Sequence, residues 1–253
     1  VSKKAWIIFV AICVVVLGAL VMTSNTKKAD VSSVDGNSIV KASEDTGNIA
    51  DHVFGKADSK VVLIEYGDYQ CPGCGSAYPT VKTLSEKYKD QLAFVFRNFP
   101  LTSIHPNAKA AATAAEAAGL QGKFWEMHDQ LYESQDSWKS LNSSTRGEYF
   151  KTLATKVGVD GSKYDTAYTG ENVNKKIAFD LALGKKANVS GTPTFYLNGK
   201  IVDQYVKDGQ IVAANTSGAQ PIWSDADAFE KLLLIPAFKE AGISLPEATA
   251  ATE

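Results

Sequence analysis

The sequence predicts an α/β fold split by an all-helical insertion and preceded by a single transmembrane helix. Three observations lead there. Residues 5–22 (AWIIFVAICVVVLGALVM) form an apolar run without charge, strand-type runs at 60–66 and 91–97 flank a stretch with helical spacing, and residues 105–187 carry helical patterns alone. The 253 residues, 45% hydrophobic and 21% charged with a net charge of −2, suit one large core and exclude a disordered chain. Lys and Arg are scattered, so no basic stripe exists to neutralise phosphates and nucleic acid is not an expected partner. Three cysteines are too few for a disulfide scaffold.

At 1.5 Å per residue the apolar run covers about 27 Å, close to the roughly 30 Å of a hydrocarbon core, and residue 23 extends it. Lys3 and Lys4 precede it, which places residues 1–4 in the cytoplasm and the rest of the chain outside, as a single-pass protein of the cell membrane. The alternative is a cleaved signal peptide, for which Gly18 and Ala19 offer a weak site. Cys13 follows the bulky Ile12 and reads as an inert buried thiol. Residues 24–50 are polar, small and aperiodic, as in a flexible tether with a reach of roughly 30 Å. The main domain is expected over 51–243, with a disordered tail at 244–253.

Within that domain, 60–66 (KVVLIEY) and 91–97 (QLAFVFR) read as strands. Between them Tyr78, Val81, Leu84 and Tyr88 mark a helix, and a right-handed crossover makes the strands parallel. The insertion follows at about 105–187. Pro106 and Gly119 bracket an alanine-rich helix, and further helices are expected at 124–133, 146–157 and 171–187. Strand signals return at 194–197, where Asn198-Gly199 turns a hairpin into 200–206. A loop is expected over 206–223, then a helix over 225–240 bent or broken at Pro236.

The segment Cys71-Pro72-Gly73-Cys74 has the sharpest chemical reading. Pro72 suits the first position of a helix, which puts Cys71 at the N-cap with its sulfur toward unpaired N–H groups. There the thiolate is favoured, so Cys71 is the attacking sulfur and Cys74, one turn inside, the resolving one. Lowering a thiol from about 8.5 to below 7 takes roughly 2 kcal/mol, and a helix terminus supplies about 0.3–1, so direct N–H to sulfur hydrogen bonds must add to it. Zinc needs four ligands, and beyond this pair only His52, His105 and His128 remain, far apart in sequence. Haem attachment needs His where Gly75 stands. A purely structural disulfide is the remaining reading, though a bridge closing so short a loop adds little stability. No phosphate loop or metal cluster is present, and no cofactor is expected.

Two distant residues bear on this chemistry. Thr192-Pro193 precedes the 194–197 strand; a cis bond there leaves backbone groups of Thr192 beside the dithiol to bind an extended peptide, and a plain turn is the other reading. Glu65 lies inside a strand, where it is either a solvent-facing residue or a buried acid that carries protons to and from Cys74. Asp68 reads as turn chemistry, His105 as a helix-start or packing residue, and His128 as a helix surface or core-edge residue. Phe124, Trp125, Tyr132, Trp138 and Phe150 read as insertion core or groove wall.

The ordered set GDYQCPGC, RNFPL, HPNAKAAATAAEAA, QGKFWEMHDQLYE and GTPTFYLNGK, spanning 53–241, resembles the DsbA-like branch of the thioredoxin superfamily. The resemblance implies a thioredoxin fold with a helical insertion and a membrane-tethered, extracytoplasmic thiol-disulfide oxidoreductase. It implies that Cys71 is the nucleophile, Cys74 the resolving cysteine, Pro193 the cis-proline, Thr192 the residue before it facing the dithiol, and Glu65 the buried acid. The partners it implies are reduced or unfolded exported polypeptides and a membrane reoxidant of DsbB or VKOR type. Disulfide donation is the expected direction. A reductase or isomerase using the same dithiol and a non-enzymatic tethered peptide-binding domain are the alternatives. One position departs from the family's strongest oxidants, which carry His where Gly73 stands, and this bears on oxidising power.

Overall fold

The computed structural model describes residues 29–245 together with positions 3, 6 and 9–13. Most of the transmembrane helix expected at 5–23, and most of the tail at 244–253, lie outside the described residues. Among the described residues no helix is long and apolar enough to cross a membrane.

The strand, helix, strand reading holds. Strand β1 (Val53–Gly55) is followed by β2 (Val62–Gly67), helix α1 (Pro72–Lys87) and β3 (Ala93–Asn98), and β2 and β3 pair in parallel, Glu65 opposite Phe96. After the insertion come β4 (Thr194–Leu197) and β5 (Lys200–Val202), giving a five-stranded sheet in the order β1-β3-β2-β4-β5. Both faces of β2 and β3 are covered, which is why their sequences run apolar without alternation. The pleat still sorts them: Leu63, Phe94 and Phe96 enter the large core shared with α1 and the insertion, whereas Ile64, Tyr66 and Val95 join a smaller core on the other face. Glu65, two residues from Leu63, therefore points into the large core. The unexpected β1 is three residues long, too short to carry a period in the sequence; it pairs antiparallel with β3.

The insertion comprises α2 (Ala108–Gly119), α3 (Phe124–Glu133), the single turn α4 (Gln135–Trp138), α5 (Arg146–Lys156), α6 (Gly161–Tyr168) and α7 (Glu171–Lys186). Alanines bury most of α2, and their small side chains let α3, α5, α6 and α7 pack around it. Asp160 caps α6, accepting from the Lys163 N–H at 2.9 Å.

Asn198 and Gly199, at φ 48° and 77°, make the hairpin turn expected of them. The strand expected over 200–206 instead stops at Val202. Asp208 and Gly209, at φ 51° and 73°, make a second such turn, so the loop expected over 206–223 folds into a three-stranded sheet of β6 (Tyr205–Lys207), β7 (Gln210–Val212) and β8 (Gln220–Pro221). The terminal helix runs as α8 (Ala226–Phe229), a wide π-type turn over Glu230–Leu234, and α9 (Ile235–Glu240). Pro236 lacks an N–H and its ring crowds the preceding turn, and the widened turn accommodates both.

The tether expected over 24–50 needs correction. Residues 29–50 are strapped to the domain: Lys186 Nζ donates to the carbonyls of Val31, Ser32 and Val34, each at 2.8 Å, and Arg97 donates to the carbonyls of Gly36 at 2.5 Å and Ser38 at 2.6 Å. Main-chain carbonyls fix this segment, so its polar side chains gave no sign of it.

The same Arg97 anchors a buried charge network. Its guanidinium lies 2.7 Å from Asp51, Asp51 is 2.9 Å from Lys176, and Lys176 is 2.6 Å from Asp180. Burial pushes Asp180 up to about 6; the same burial acts on Asp51, but Lys176 and Arg97 outweigh it and hold that carboxylate well below its usual range. Replacing Arg97 by Leu deprives Asp51 of one partner in a dry site and also releases residues 36–38. The expected loss is about 3–5 kcal/mol in urea unfolding; a loss under about 1 kcal/mol would show that Lys176 alone satisfies Asp51.

Candidate active site

The sheet delivers three pieces of chain to one end. β2 ends at Gly67, α1 begins beyond the Asp68–Gln70 turn, and β4, antiparallel to β2 with Thr194 opposite Tyr66, brings Thr192 and Pro193 in from the other side. Cys71 is the N-cap of α1 at φ −68° and ψ 124°, with Pro72 in the first turn. Its carbonyl accepts the Gly75 N–H at 3.1 Å, and its own N–H donates to Asp68 O at 3.0 Å. Gln135 Nε2, from the insertion, donates to the carbonyls of Tyr69 at 2.7 Å and Cys71 at 3.0 Å, tying the turn to α4.

Both cysteines are free thiols; Cys71 is 8% exposed and Cys74 0%. The Thr192–Pro193 peptide is cis. It lies across the dithiol, since a Cβ added at Gly73 would sit 3.2 Å from Pro193 Cδ and 3.6 Å from Cys71 Sγ. A larger residue at this position must displace the proline ring by a few tenths of an ångström, while its Cβ meets the sulfur at ordinary contact distance. Thr192 has two readings from the sequence, and the structure places it at the dithiol: Cys71 Sγ lies 3.3 Å from its carbonyl oxygen.

Hydrogen bonding to its sulfur pulls the Cys71 thiol down to about 5. The Cys74 thiol contributes most, followed by the nearby Thr192 side chain and the N–H groups of Cys74 and Gly73; burial opposes them. The expected N–H cap bonds thus play the smallest part: the Cys71 sulfur makes no complete cap hydrogen bond, and the neighbouring thiol is the main cause. Cys74 goes the opposite way. Burial holds its thiol well above the usual range, reinforced by its bond to Cys71 and by Glu65, against a hydrogen bond from the Asp68 N–H at 3.5 Å. One sulfur is ionised at neutral pH and its neighbour keeps its proton.

Glu65 is 3% exposed, flanked in register by Phe96 on β3 and Phe195 on β4, so it is buried rather than solvent-facing. Burial pushes its carboxyl up to about 8, with the Cys71 charge adding to the rise. Asp68 does more than shape a turn. Its side chain accepts from the N–H groups of Gln70 at 2.8 Å and Leu101 at 2.9 Å, and His105 Nδ1 lies 2.7 Å from it. Gln135 and His105 carried no local signal, because their contacts cross 37 to 66 residues of sequence. His128 is 4% exposed and faces Tyr69, Phe96 and Tyr132, a core position rather than a surface one. Phe124, Tyr132, Trp138 and Phe150 are buried and Trp125 packs against the same core. Among the described residues no group of three His, Cys, Asp or Glu side chains is placed to hold a metal ion.

Comparison with known proteins agrees with this geometry. A family model described as thioredoxin matches residues 47–214. Curated relatives include a Na(+)/H(+) antiporter NhaA 3 of Salinispora tropica, 38% identical over 150 residues, a match that spans 59% of this chain and 22% of the antiporter. The chain thus covers about a fifth of that relative's length. Among solved structures, a thioredoxin-like oxidoreductase from Silicibacter pomeroyi is 26% identical with a TM-score of 0.51, covering 62% of this chain and 86% of that one. BdbD from Bacillus subtilis shares the fold at 22% identity and a TM-score of 0.56, over 81% of this chain and 98% of that one. The alpha-DsbA1 protein of Wolbachia pipientis shares it at 20% identity and a TM-score of 0.57, over 76% of this chain and 92% of that one.

Proposed function

Because the chain belongs to the thioredoxin family, we propose that it is an extracytoplasmic thiol-disulfide oxidoreductase that donates the Cys71–Cys74 disulfide to exported polypeptides. The observation that carries the reading is the contrast between two sulfurs one helical turn apart: Cys71 ionised beside Thr192 and Pro193, and Cys74 buried and protonated.

A substrate thiolate attacks Cys71 of the oxidised pair. The disulfide breaks, a mixed disulfide forms on Cys71, and Cys74 leaves as a thiolate that takes the proton of the Glu65 carboxyl. A second substrate thiolate then attacks the substrate sulfur of the mixed disulfide, and Cys71 departs as a stable thiolate. Two substrate thiols become one disulfide, and the enzyme's disulfide becomes a dithiol. Thr192 and Pro193 at the edge of β4 suit an extended segment of the substrate, held by strand-like hydrogen bonds.

A membrane reoxidant of DsbB or VKOR type then returns the pair to the disulfide. The apolar run at 5–22 supports a membrane setting. A reductase or isomerase would use the same residues in reverse. Redox titration of the full chain separates these: a potential well above the roughly −270 mV of thioredoxin supports donation, and a value near it overturns donation in favour of reduction.

A further inference from the structure

Each disulfide donated leaves Glu65 without its proton in an apolar site, so a route for resupply is required. A cavity of about 30 Å³ lies against Glu65, lined on the inside by Ser85, His128 and Tyr132 and toward the surface by Lys82 and Asp129. The inner residues are all buried, and Ser85 Oγ, His128 Nε2 and Tyr132 Oη have no hydrogen-bond partner in the protein. Buried polar atoms are costly to leave bare, yet all three of these border one space. A water needs roughly 10–15 Å³ and two to four polar partners; the cavity has volume for about two, and although Phe54, Val81, Phe94 and Trp125 also line it, Glu65 and these three atoms can supply the partners.

We propose that this cavity is hydrated and conducts protons between Glu65 and solvent, with His128 as the inner relay and Asp129 as the outer one. The proposal rests on the oxidoreductase reading and deepens it. His128 Nδ1 lies 3.3 Å from Asp129 Oδ1, while the other Asp129 oxygen pairs with Lys82; the side chains of Asp129 and Lys82 are 26% and 35% exposed. For inward transfer Nδ1 takes a proton from Asp129 while Nε2–H gives one to a cavity water, and return of the ring to its starting tautomer completes the cycle. Burial pushes the His128 imidazole below its usual range, so the ring is neutral at pH 7 and adds no charge next to Glu65. The groups facing Glu65 are Cys71 at the α1 N-cap, Cys74 from α1, Tyr69 from the turn and Tyr132 from α3; those facing His128 are Asp129 and Tyr132 on its own helix, Lys82 and Tyr78 from α1, and Tyr69. One proton enters from solvent for each one that Glu65 gives Cys74, and no electron moves along this path.

His128→Phe keeps an aromatic ring and removes both nitrogens, and Asp129→Asn alters only the partly exposed mouth. In the full chain, opening of the Cys71–Cys74 disulfide by dithiothreitol is followed by stopped flow across pH in H₂O and D₂O. Both variants are expected to slow it roughly ten- to a hundredfold near neutral pH, up to the lower bound for loss of the general acid itself, with a larger solvent isotope effect. Alkylation of reduced Cys71 keeps its midpoint near pH 5; a shift of that midpoint in step with the rate would mean simple disturbance of the site and would overturn the relay. Infrared measurement of hydrogen–deuterium exchange at the Glu65 carboxyl reads the path without any thiol chemistry. Slower exchange in His128→Phe supports the relay even if the protein proves no disulfide donor, and wild-type exchange in both variants sinks it even if donation is confirmed.

Discussion

Iodoacetamide is expected to alkylate Cys71 of the reduced protein with a half-maximal rate near pH 5, and to leave Cys74 unmodified until the protein unfolds. At pH 7 a thiol of pKa 5 is about 30-fold richer in thiolate than an ordinary cysteine, but its nucleophilicity is on the order of 40-fold lower, so the two effects cancel there. The distinction appears in acid. At pH 5 half of Cys71 is still thiolate while an ordinary cysteine has almost none, and Cys71 should react on the order of 50-fold faster. A rate that still climbs tenfold per pH unit between pH 6 and 8 would show an ordinary thiol and remove the asymmetry on which the exchange chemistry depends.

The same depression sets the redox consequence. A thiol whose folded pKa lies below its unfolded one stabilises the reduced fold above the unfolded pKa, and the gain is lost as pH falls through about 5. At pH 7 the gain is about 3 kcal/mol, equivalent to about 60 mV of oxidising potential for a two-electron couple. The protein reaches this without the histidine that resembling oxidants carry at the position of Gly73. The Cys74 thiol, the Thr192 side chain and two backbone N–H groups take its place. A side chain at Gly73 would press on Pro193 and approach the sulfur, so adding histidine would raise the potential only if the proline loop gives way.

The parts of this site that were legible in the sequence are those written locally. Cys71-Pro72-Gly73-Cys74 is contiguous, and Pro72 after a strand predicts the helix start that makes Cys71 an N-cap. Glu65 sits in register with the apolar residues of its own strand, and Thr192-Pro193 abuts a strand with a clear hairpin turn behind it. What stayed hidden joins residues far apart. Asp51, Arg97, Lys176 and Asp180 carry no local mark of burial, which depends on neutralisation that reaches Asp51 across 46 and 125 positions. His128 read as a helix edge because its polarity masks a position packed among Tyr69, Phe96 and Tyr132. The Asp208-Gly209 turn was visible in principle, since Asp-Gly between short apolar runs is a strong hairpin signal, but a loop long enough to be irregular drew the reading instead.

Replacing Glu65 by Gln is expected to move rate and stability in opposite directions. The amide cannot give a proton to the departing Cys74 thiolate, so opening of the disulfide should slow by about 100-fold at neutral pH, at the lower bound for a general acid in a shielded site. Meanwhile the variant gains stability. The Glu65 carboxyl ionises near 4.5 in the unfolded chain and near 8 in the fold, so the folded state holds a proton that the unfolded state releases. Its contribution is fully present below pH 4.5, erodes as pH rises between the two values and is gone above about 8. Gln has no such loss, and urea unfolding should show the variant about 4 kcal/mol more favourable at pH 8 than at pH 4, both relative to the wild type. Burial is the larger cause of the shift and acts in either redox state, whereas the Cys71 charge acts only in the reduced one; the gain should therefore be smaller in the oxidised protein and complete at a lower pH. A stability difference that does not change between pH 4 and pH 8 would mean that Glu65 is already ionised inside the fold, and the proton would then have to reach Cys74 from another group.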